Sequence, residues 1–406
     1  MKEHLEYLQQ IRSQFIDEDA SNQDIIDRLA LFIYGIQPNP WWQELPPRKD
    51  GVIKGVDCLL TSSETPVFFD DDARRIAIFY STNSPFRVDA QGHVWLSEHK
   101  SDLSLSPFPY KRYLGPKYSY YLRSNRTNRY TRLVINPHRN CYARCKWCAR
   151  TYQNHIPSHS RKQLDSIDSE FTSVISGSGI TVDKHAIRIL PQEVISPKEF
   201  VAYLLRDPHI TSKTGDFSHL TEVAVLSGDF PKNQSAISYV VEICGLLKSA
   251  NFAGSIYYAG HQIENENDMQ LLRQVNSHID FVYTIEHFTR RQELMPVKGK
   301  RTLDEIDEIL KSANRIFGAQ NVFYYYVAGI DPTQVVKENI IRFKDIAIPQ
   351  VFVFTPYNLE HNELYHHSKL HNRLQQLLDI RAFILELYDK PIPGGSNRSL
   401  FPLGTG

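Results

Sequence analysis

A chain of 406 residues is long enough for one large domain with additions and for a substantial core. The composition is ordinary for a globular protein, with 41% apolar and 23% charged residues. There is no run of ~18 apolar residues and no apolar N-terminal stretch typical of a signal peptide, so we expect a cytoplasmic protein with no membrane partner. A net charge of zero argues against a uniformly basic nucleic-acid-binding chain. Five cysteines, three of them clustered, favour metal or redox chemistry over a disulfide framework.

Residues 1–125 are predicted to form an accessory α+β region. Apolar residues at helical spacing predict one helix near the N-terminus and a second around residues 25–34. Short β-like runs follow, and PFRV and HVWL, joined by the turn DAQG (Asp89 to Gly92), predict a hairpin. No motif in this region indicates a specific function.

From residue 131 onward, short apolar runs alternate with helical segments, which is typical of βα units around a parallel sheet. Six such runs are present: RLVIN (132–136), EVAVLSG (222–228), GSIYYAG (254–260), DFVYTIEHF (280–288), NVFYYYVAG (321–329) and QVFVFTPYN (350–358). Six strands are two fewer than a closed barrel requires. We therefore predict an α/β fold in which residues 126–360 form a partial (β/α)6 TIM-like barrel, with an insertion at about 151–191.

The helices of this region have recognisable ends. Ser196 to Glu199 reads as a capping box with proline at the first helical position. Thr302 and Glu305 predict a second capping box, and Gly318 predicts the end of that helix. Residues 361–406 are predicted to be a C-terminal helix followed by a tail rich in glycine and proline.

The charge is unevenly distributed along the chain. Between Leu103 and Leu164 there is no Asp or Glu, and thirteen of the 46 basic residues lie there. Such a window predicts an anionic partner close to it.

This basic window contains the segment NCYARCKWCAR (140–150), in which three cysteines are spaced C-x3-C-x2-C. Four cysteines close the coordination of a [4Fe–4S] cluster, whereas three leave one iron open for another ligand. A zinc site with His138 or His155 as the fourth ligand is one alternative. A redox-active dithiol formed by Cys145 and Cys148 is another.

The spacing resembles the defining motif of the radical S-adenosylmethionine superfamily. Cys141, Cys145 and Cys148 match the motif, and Trp147 fills the aromatic position that usually precedes the last cysteine. The resemblance, over about residues 131–360, implies a [4Fe–4S] cluster held by these cysteines. It also implies S-adenosylmethionine on the open iron, an external electron donor of the flavodoxin or ferredoxin type, and cleavage to a 5′-deoxyadenosyl radical.

The resemblance also implies further cofactor-binding residues at the strand ends. It assigns the methionine amino group to Ser227, Gly228 and Asp229, the ribose to Thr284 and Glu286, and the adenine to Gly329. Here Ser227 replaces the family's first glycine, and Asp229 is shorter than the usual Glu. One of the basic residues Arg290, Arg291, Lys298 and Lys300 would pair with the methionine carboxylate, and the sequence does not choose among them.

The remaining cysteines have another interpretation. Cys244 lies on an apolar helical stripe and Cys58 stands alone, so both are predicted to be buried and only one cluster is expected. No catalytic residue is assigned.

We expect the radical to abstract hydrogen from a small anionic substrate. Modification of tRNA or a peptide is the alternative, because six tyrosines alternate with cations in the basic window. A zinc-binding interaction protein without catalysis is the third hypothesis.

Overall fold

The computed structural model describes residues 2–14, 20–37, 67–69, 75–77, 84–104, 106–107, 112–114, 119–124, 130–137, 141, 143, 145–146, 195–208, 210–226, 228–230, 232–354, 370–388 and 400. Two helices, α1 (Lys2–Gln14) and α2 (Ala20–Tyr34), begin the chain as predicted. Leu8 and Ile11 of α1 are buried, so its apolar stripe faces the core.

Two small sheets follow α2. Their strands are β1 (Val67–Phe69), β2 (Arg75–Ala77), β3 (Phe86–Val88), β4 (His93–Leu96), β5 (His99–Ser104) and β6 (Ser106–Pro107). The strand orders are β2-β1-β6 and β3-β4-β5. The predicted hairpin is confirmed, because β3 and β4 pair antiparallel. In its turn, Asp89 accepts hydrogen bonds from the backbone N–H groups of Gln91 and His93, as expected for an Asx turn.

The main sheet has eight strands that pair in chain order. They are β7 (Arg112–Leu114), β8 (Ser119–Ser124), β9 (Tyr130–Asn136), β10 (Glu222–Leu226), β11 (Ser255–Gly260), β12 (Ile279–Glu286), β13 (Val322–Ala328) and β14 (Ile348–Val353). The six predicted strands, β9 to β14, are confirmed, and all pair in parallel. Pairing in chain order is typical of (β/α) barrels, whereas doubly wound sheets reverse their order at a switch point.

The predicted boundary at residue 125 falls inside this sheet. Strand β8 pairs antiparallel with β9, and β7 pairs antiparallel with β8. These two strands cover the edge that β9 would otherwise present. The last part of the predicted accessory region thus belongs to the main sheet.

Helices connect the parallel strands. They are α3 (Pro197–Arg206), α4 (Asn233–Ser249), α5 (Glu266–Val275), α6 (Arg291–Leu294), α7 (Leu303–Phe317) and α8 (Thr333–Phe343), and α9 (Leu370–Leu387) follows β14. Thr302 and Glu305 form the predicted reciprocal capping box of α7. Before α3, the Ser196 hydroxyl accepts the backbone N–H of Glu199. Gly318 ends α7 with a φ of +89°, which glycine adopts without strain.

The two faces of strands β9 to β14 bury different side chains. On one face, residues such as Leu133, Ile256 and Tyr324 join the helices in the main core. On the other, residues such as Val134 and Ala224 form a separate cluster that consists only of strand residues. Among the described residues, helices therefore pack on one face, and we call the other the inner face.

The inner face is strongly curved. The Tyr257 hydroxyl of β11 donates to Gln350 Oε1 of β14 at 2.5 Å. Three strand spacings separate these strands, roughly 14 Å on a flat sheet. Parallel side chains on a flat sheet could not meet across that span, so the sheet must curl around its inner face.

The C-terminal helix α9 packs against α2 and α8. Its buried residues include Leu374, Leu377 and Ile384. Beyond it, the Leu400 N–H donates to the Val351 carbonyl of β14. None of the helices in the described ranges has the length and apolar character needed to cross a bilayer.

Candidate functional site

The candidate site lies at the carboxyl ends of the parallel strands, where the cysteine loop follows β9. The structure describes Cys141 and Cys145 of the motif. Cys148, Trp147 and Ser227 lie outside the described residues. Cys141 is partly exposed and Cys145 is buried. Two of the three predicted cluster ligands therefore lie beyond the end of the first parallel strand.

Cys145 packs under the segment that follows β12. Its side chain belongs to a small buried cluster with Ala143, Leu294 and Met295. The backbone N–H of Lys146 donates to the Leu294 carbonyl at 2.8 Å. The cysteine loop therefore packs against α6. The segments that follow the first and fourth parallel strands thus form adjacent parts of the site.

The loop after β10 approaches Cys141. The backbone N–H of Asp229 donates to Cys141 Sγ at 3.3 Å. Gly228, Asp229 and Phe230 are all buried. Two of the predicted cofactor-binding positions, Gly228 and Asp229, thus lie next to a predicted cluster ligand.

The Asp229 carboxylate has a partner that sequence reasoning missed. His261 Nε2 lies 2.6 Å from Asp229 Oδ2, and both side chains are about 8% exposed. The next residue, Gln262, accepts the Phe230 N–H at 2.7 Å and donates to the Phe230 carbonyl at 2.9 Å. The available signal was a pair of polar residues directly after a parallel strand, at the edge where functional groups collect.

Glu286 ends β12 in an unusual backbone conformation. Its φ is +68°, and the pairing with β13 shifts register between Thr284 and Glu286. A non-glycine residue in this region is strained by roughly 1–3 kcal/mol, and such strain clusters at functional sites. Glu286 Oε2 is buried and has no hydrogen-bond partner in the described part of the chain. This free acceptor is suited to a hydroxyl donor of a ligand.

Lys298 lies beside Glu286 with only 11% of its side chain exposed. Its Nζ is 3.0 Å from Glu286 Oε1 and 3.4 Å from Thr284 Oγ1. Burial alone would lower the pKa of Lys298, but the adjacent Glu286 carboxylate raises it well above its usual range. The amine therefore carries a positive charge at neutral pH. The predicted ribose positions, Thr284 and Glu286, are thus brought together around a buried cation.

The structure distinguishes the four basic residues proposed for the methionine carboxylate. Arg290 pairs with Glu293 on the surface. Arg291 is buried and donates to two backbone carbonyl groups at the end of β12. Lys300 is exposed. Of the four, Lys298 alone combines burial with contact to predicted cofactor-binding residues.

Gly329 follows β13 with a φ of +113°, a conformation that glycine adopts readily. Two residues later, Asp331 is 1% exposed and accepts the backbone N–H groups of Phe288 and Thr289 at 2.9 and 3.0 Å. Burial opposes ionisation, but the His287 imidazole, 3.7 Å from the carboxylate, and hydrogen bonds from Thr289 keep the pKa of Asp331 below its usual range. The ionised Asp331 therefore ties the loop of Gly329 to the loop that follows Glu286.

The described residues fit the implied cluster and S-adenosylmethionine in their donor chemistry. A thiol pair with a backbone N–H donor suits a cluster, and the cation of Lys298 suits a carboxylate. No group of three His, Cys, Asp or Glu residues that could hold a metal is found within the described ranges. The third cysteine of the motif lies outside those ranges.

Comparisons with known proteins do not assign the chain to a family. No family model matches the chain, and no curated protein sequence matches it significantly. The function is therefore inferred from the motif and from the geometry of the site.

The amino-terminal end of the inner face carries a separate group of charges. Arg132 donates to Glu222 through Nε at 2.7 Å and through Nη2 at 2.5 Å. Burial and, next, the Glu222 carboxylate raise the pKa of Asp280 to about 6, and Arg132 opposes them. Asp280 therefore loses its proton close to neutral pH.

This shift predicts a pH-dependent effect of Asp280→Asn. Because the folded pKa exceeds the unfolded value, the stability that protonated Asp280 contributes is full below pH ~4 and is lost as the pH rises through ~6. After allowance for the partial exposure of Asp280, we expect the variant to be more stable than the wild type by roughly 1 kcal/mol at pH ~7.5. The difference should shrink at pH ~4.5. Urea unfolding at both pH values measures it, and a difference that does not change with pH contradicts the assignment.

Proposed function

We propose that this protein is a radical S-adenosylmethionine enzyme. The observation that carries the proposal is the position of the C-x3-C-x2-C segment. It follows the first of six parallel strands that pair in chain order, and Cys141 and Cys145 lie beside loops from the second and fourth of those strands. The carboxyl ends of such strands are where barrel-type α/β enzymes hold their active sites.

Cys141, Cys145 and Cys148 would hold a [4Fe–4S] cluster, with the open iron available to S-adenosylmethionine. When bound, and given one electron by the external donor, this cofactor pair would supply methionine and a 5′-deoxyadenosyl radical able to take a hydrogen atom from a substrate. The chain binds and orients the reactants. Loops from different strands meet at the cysteines, so several separate segments would surround the cofactor.

The residues at the strand ends would orient S-adenosylmethionine. Lys298 would pair with the methionine carboxylate through a charge-assisted hydrogen bond. The unpartnered Oε2 of Glu286 would accept a ribose hydroxyl, and Gly329 would let the backbone approach the adenine. The Gly228–Asp229 backbone would lie against the methionine amino group. Because His261 Nε2 lies 2.6 Å from Asp229 Oδ2, we assign this contact to the backbone.

For the substrate we propose a small anionic molecule, and for the electron donor an external flavodoxin or ferredoxin. The anionic character rests on the acid-free sequence between Leu103 and Leu164. A substrate on the inner face would meet the hydroxyl groups of Tyr257 and Tyr325, which lie 2.5 Å apart. These hydroxyls would favour a substrate with polar groups.

Anaerobic reconstitution with iron and sulfide tests the proposal. We expect a broad absorbance near ~400 nm and about four irons per chain, as for a [4Fe–4S] cluster. A zinc-binding protein would instead retain one zinc per chain and show no such band. A chain that binds zinc and cannot assemble a cluster would overturn the proposal.

A further inference from the structure

We propose that Gln262 is a positioning residue that holds the Asp229 amide against the Cys141 sulfur and thereby raises the reduction potential of the cluster. This inference rests on the proposed function. It goes further, because it assigns control of the potential to a residue that follows β11, outside the cysteine motif.

The N–H group that donates to the Cys141 sulfur belongs to the loop after β10. In this loop, one side chain binds both the N–H and the carbonyl group of the next residue. The Asp229 N–H donates to Cys141 Sγ at 3.3 Å. The backbone N–H of the next residue, Phe230, donates to Gln262 Oε1 at 2.7 Å, and the Phe230 carbonyl accepts a hydrogen bond from Gln262 Nε2 at 2.9 Å. A single glutamine side chain therefore fixes the backbone directly after the amide that faces the sulfur.

His261 restrains the same loop through a side chain. Its Nε2 lies 2.6 Å from Asp229 Oδ2. The Asp229 side chain is therefore held by His261, while the backbone that follows it is held by Gln262. Adjacent residues of one strand end thus restrain both parts of the residue that donates to Cys141.

The support for Gln262 extends into the core. Just before it on β11, Tyr258 is 2% exposed, and Gly260 lacks the Cβ that would overlap the Tyr258 hydroxyl. Gln262 itself is 7% exposed, so its amide is shielded from competition with water. This packing fixes the glutamine before any cofactor binds.

The physical effect has a definite sign. Reduction adds negative charge to a cluster and to its thiolate ligands, and an N–H donor stabilises that charge. Hydrogen bonds to the sulfurs are among the features that set cluster potentials. Loss of the Asp229–Cys141 hydrogen bond should therefore make the cluster harder to reduce.

The test is an anaerobic potentiometric titration of the reconstituted full chain, followed by electron paramagnetic resonance of the reduced cluster. Gln262→Met keeps the length of the side chain and removes both hydrogen bonds to Phe230. We expect the reduced-to-oxidised ratio at a fixed potential to fall about tenfold, a shift of about 59 mV to lower potential for one electron. Asn233→Ala is the matched control, because it removes the outer partner of Gln262 Nε2, at 3.2 Å, but leaves both hydrogen bonds between Gln262 and Phe230, so the potential should not change.

A second measurement needs no variant. In wild-type protein with ¹⁵N-labelled aspartate, hyperfine spectroscopy of the reduced cluster should show a coupled amide nitrogen from Asp229. An unchanged potential in folded, cluster-loaded Gln262→Met overturns the inference and leaves the proposed function standing, as does the absence of ¹⁵N coupling. Failure of the wild type to assemble a cluster overturns both.

Discussion

We expect replacement of Cys145 by alanine to abolish the proposed cleavage of S-adenosylmethionine and to leave a folded protein. Cys145 is one of three proposed cluster ligands, and a cluster missing one of them assembles poorly. The loss should exceed the roughly 10–100-fold typical for removal of an outer-shell partner of a metal site. Because the side chain is small and packs in a minor cluster, we expect its removal to lower the free energy of unfolding by only about 1 kcal/mol.

Cys244→Ala is the matched control, since Cys244 is a buried cysteine far in sequence from the motif. Burial raises the pKa of the Cys244 thiol to about 12, so it is protonated at neutral pH and unsuited to bind iron. We expect this variant to lose about 1 kcal/mol of stability and no cleavage activity. Iron content, thermal unfolding and 5′-deoxyadenosine release are measured for both variants. Full activity in Cys145→Ala would refute the cluster assignment.

Replacing Lys298 by methionine should impair both stability and cofactor binding. Glu286 would keep a buried carboxylate without its partner, and breaking such a pair typically costs about 3–5 kcal/mol. The proposed partner of the methionine carboxylate would also be lost. We expect S-adenosylmethionine to bind at least ~10-fold more weakly to the reconstituted variant, which corresponds to one charge-assisted hydrogen bond.

The double variant Lys298→Met/Glu286→Gln separates the two effects. With both charges removed, most of the stability should return. Cofactor affinity should stay low, because the cation and the ribose acceptor are both gone. Lys311→Gln is the control: Lys311 forms surface ion pairs on α7, so this variant should keep nearly wild-type stability and cofactor affinity. Thermal unfolding and equilibrium dialysis measure the outcomes, and wild-type affinity in the double variant would show that Lys298 has no binding role.

The parallel strands could be predicted because each is a short, almost wholly apolar run. A strand buried on both faces has this pattern, and its position does not depend on distant residues. The capping box of Thr302 and Glu305 was equally local. Strands β7 and β8 were assigned to the accessory region, because pairing with β9 depends on edges that the sequence does not mark.

The candidate site was predictable only where a motif marks it. The cysteines are marked by their spacing, and Asp229 and Glu286 are implied by the family resemblance, which places cofactor-binding residues at strand ends. The contacts of His261 with Asp229, and of Asp331 with the loop after β12, join residues that are 32 and 42 or more positions apart. Such contacts arise because parallel strands bring their carboxyl ends together, so they appear only when the fold is known.

Lys298 shows the same limit in another form. Four basic residues lie from position 290 to position 300, and the local sequence does not indicate which of them is buried. Burial and partners distinguish them, and both depend on how α6 and the following turn fold back over the end of β12.

The central claim is tested most directly by the fate of S-adenosylmethionine on the reconstituted, reduced chain. We predict equimolar methionine and 5′-deoxyadenosine by mass spectrometry, formed only with both the cluster and a one-electron reductant present. Intact S-adenosylmethionine after incubation with a chain whose cluster is assembled and reduced would contradict it.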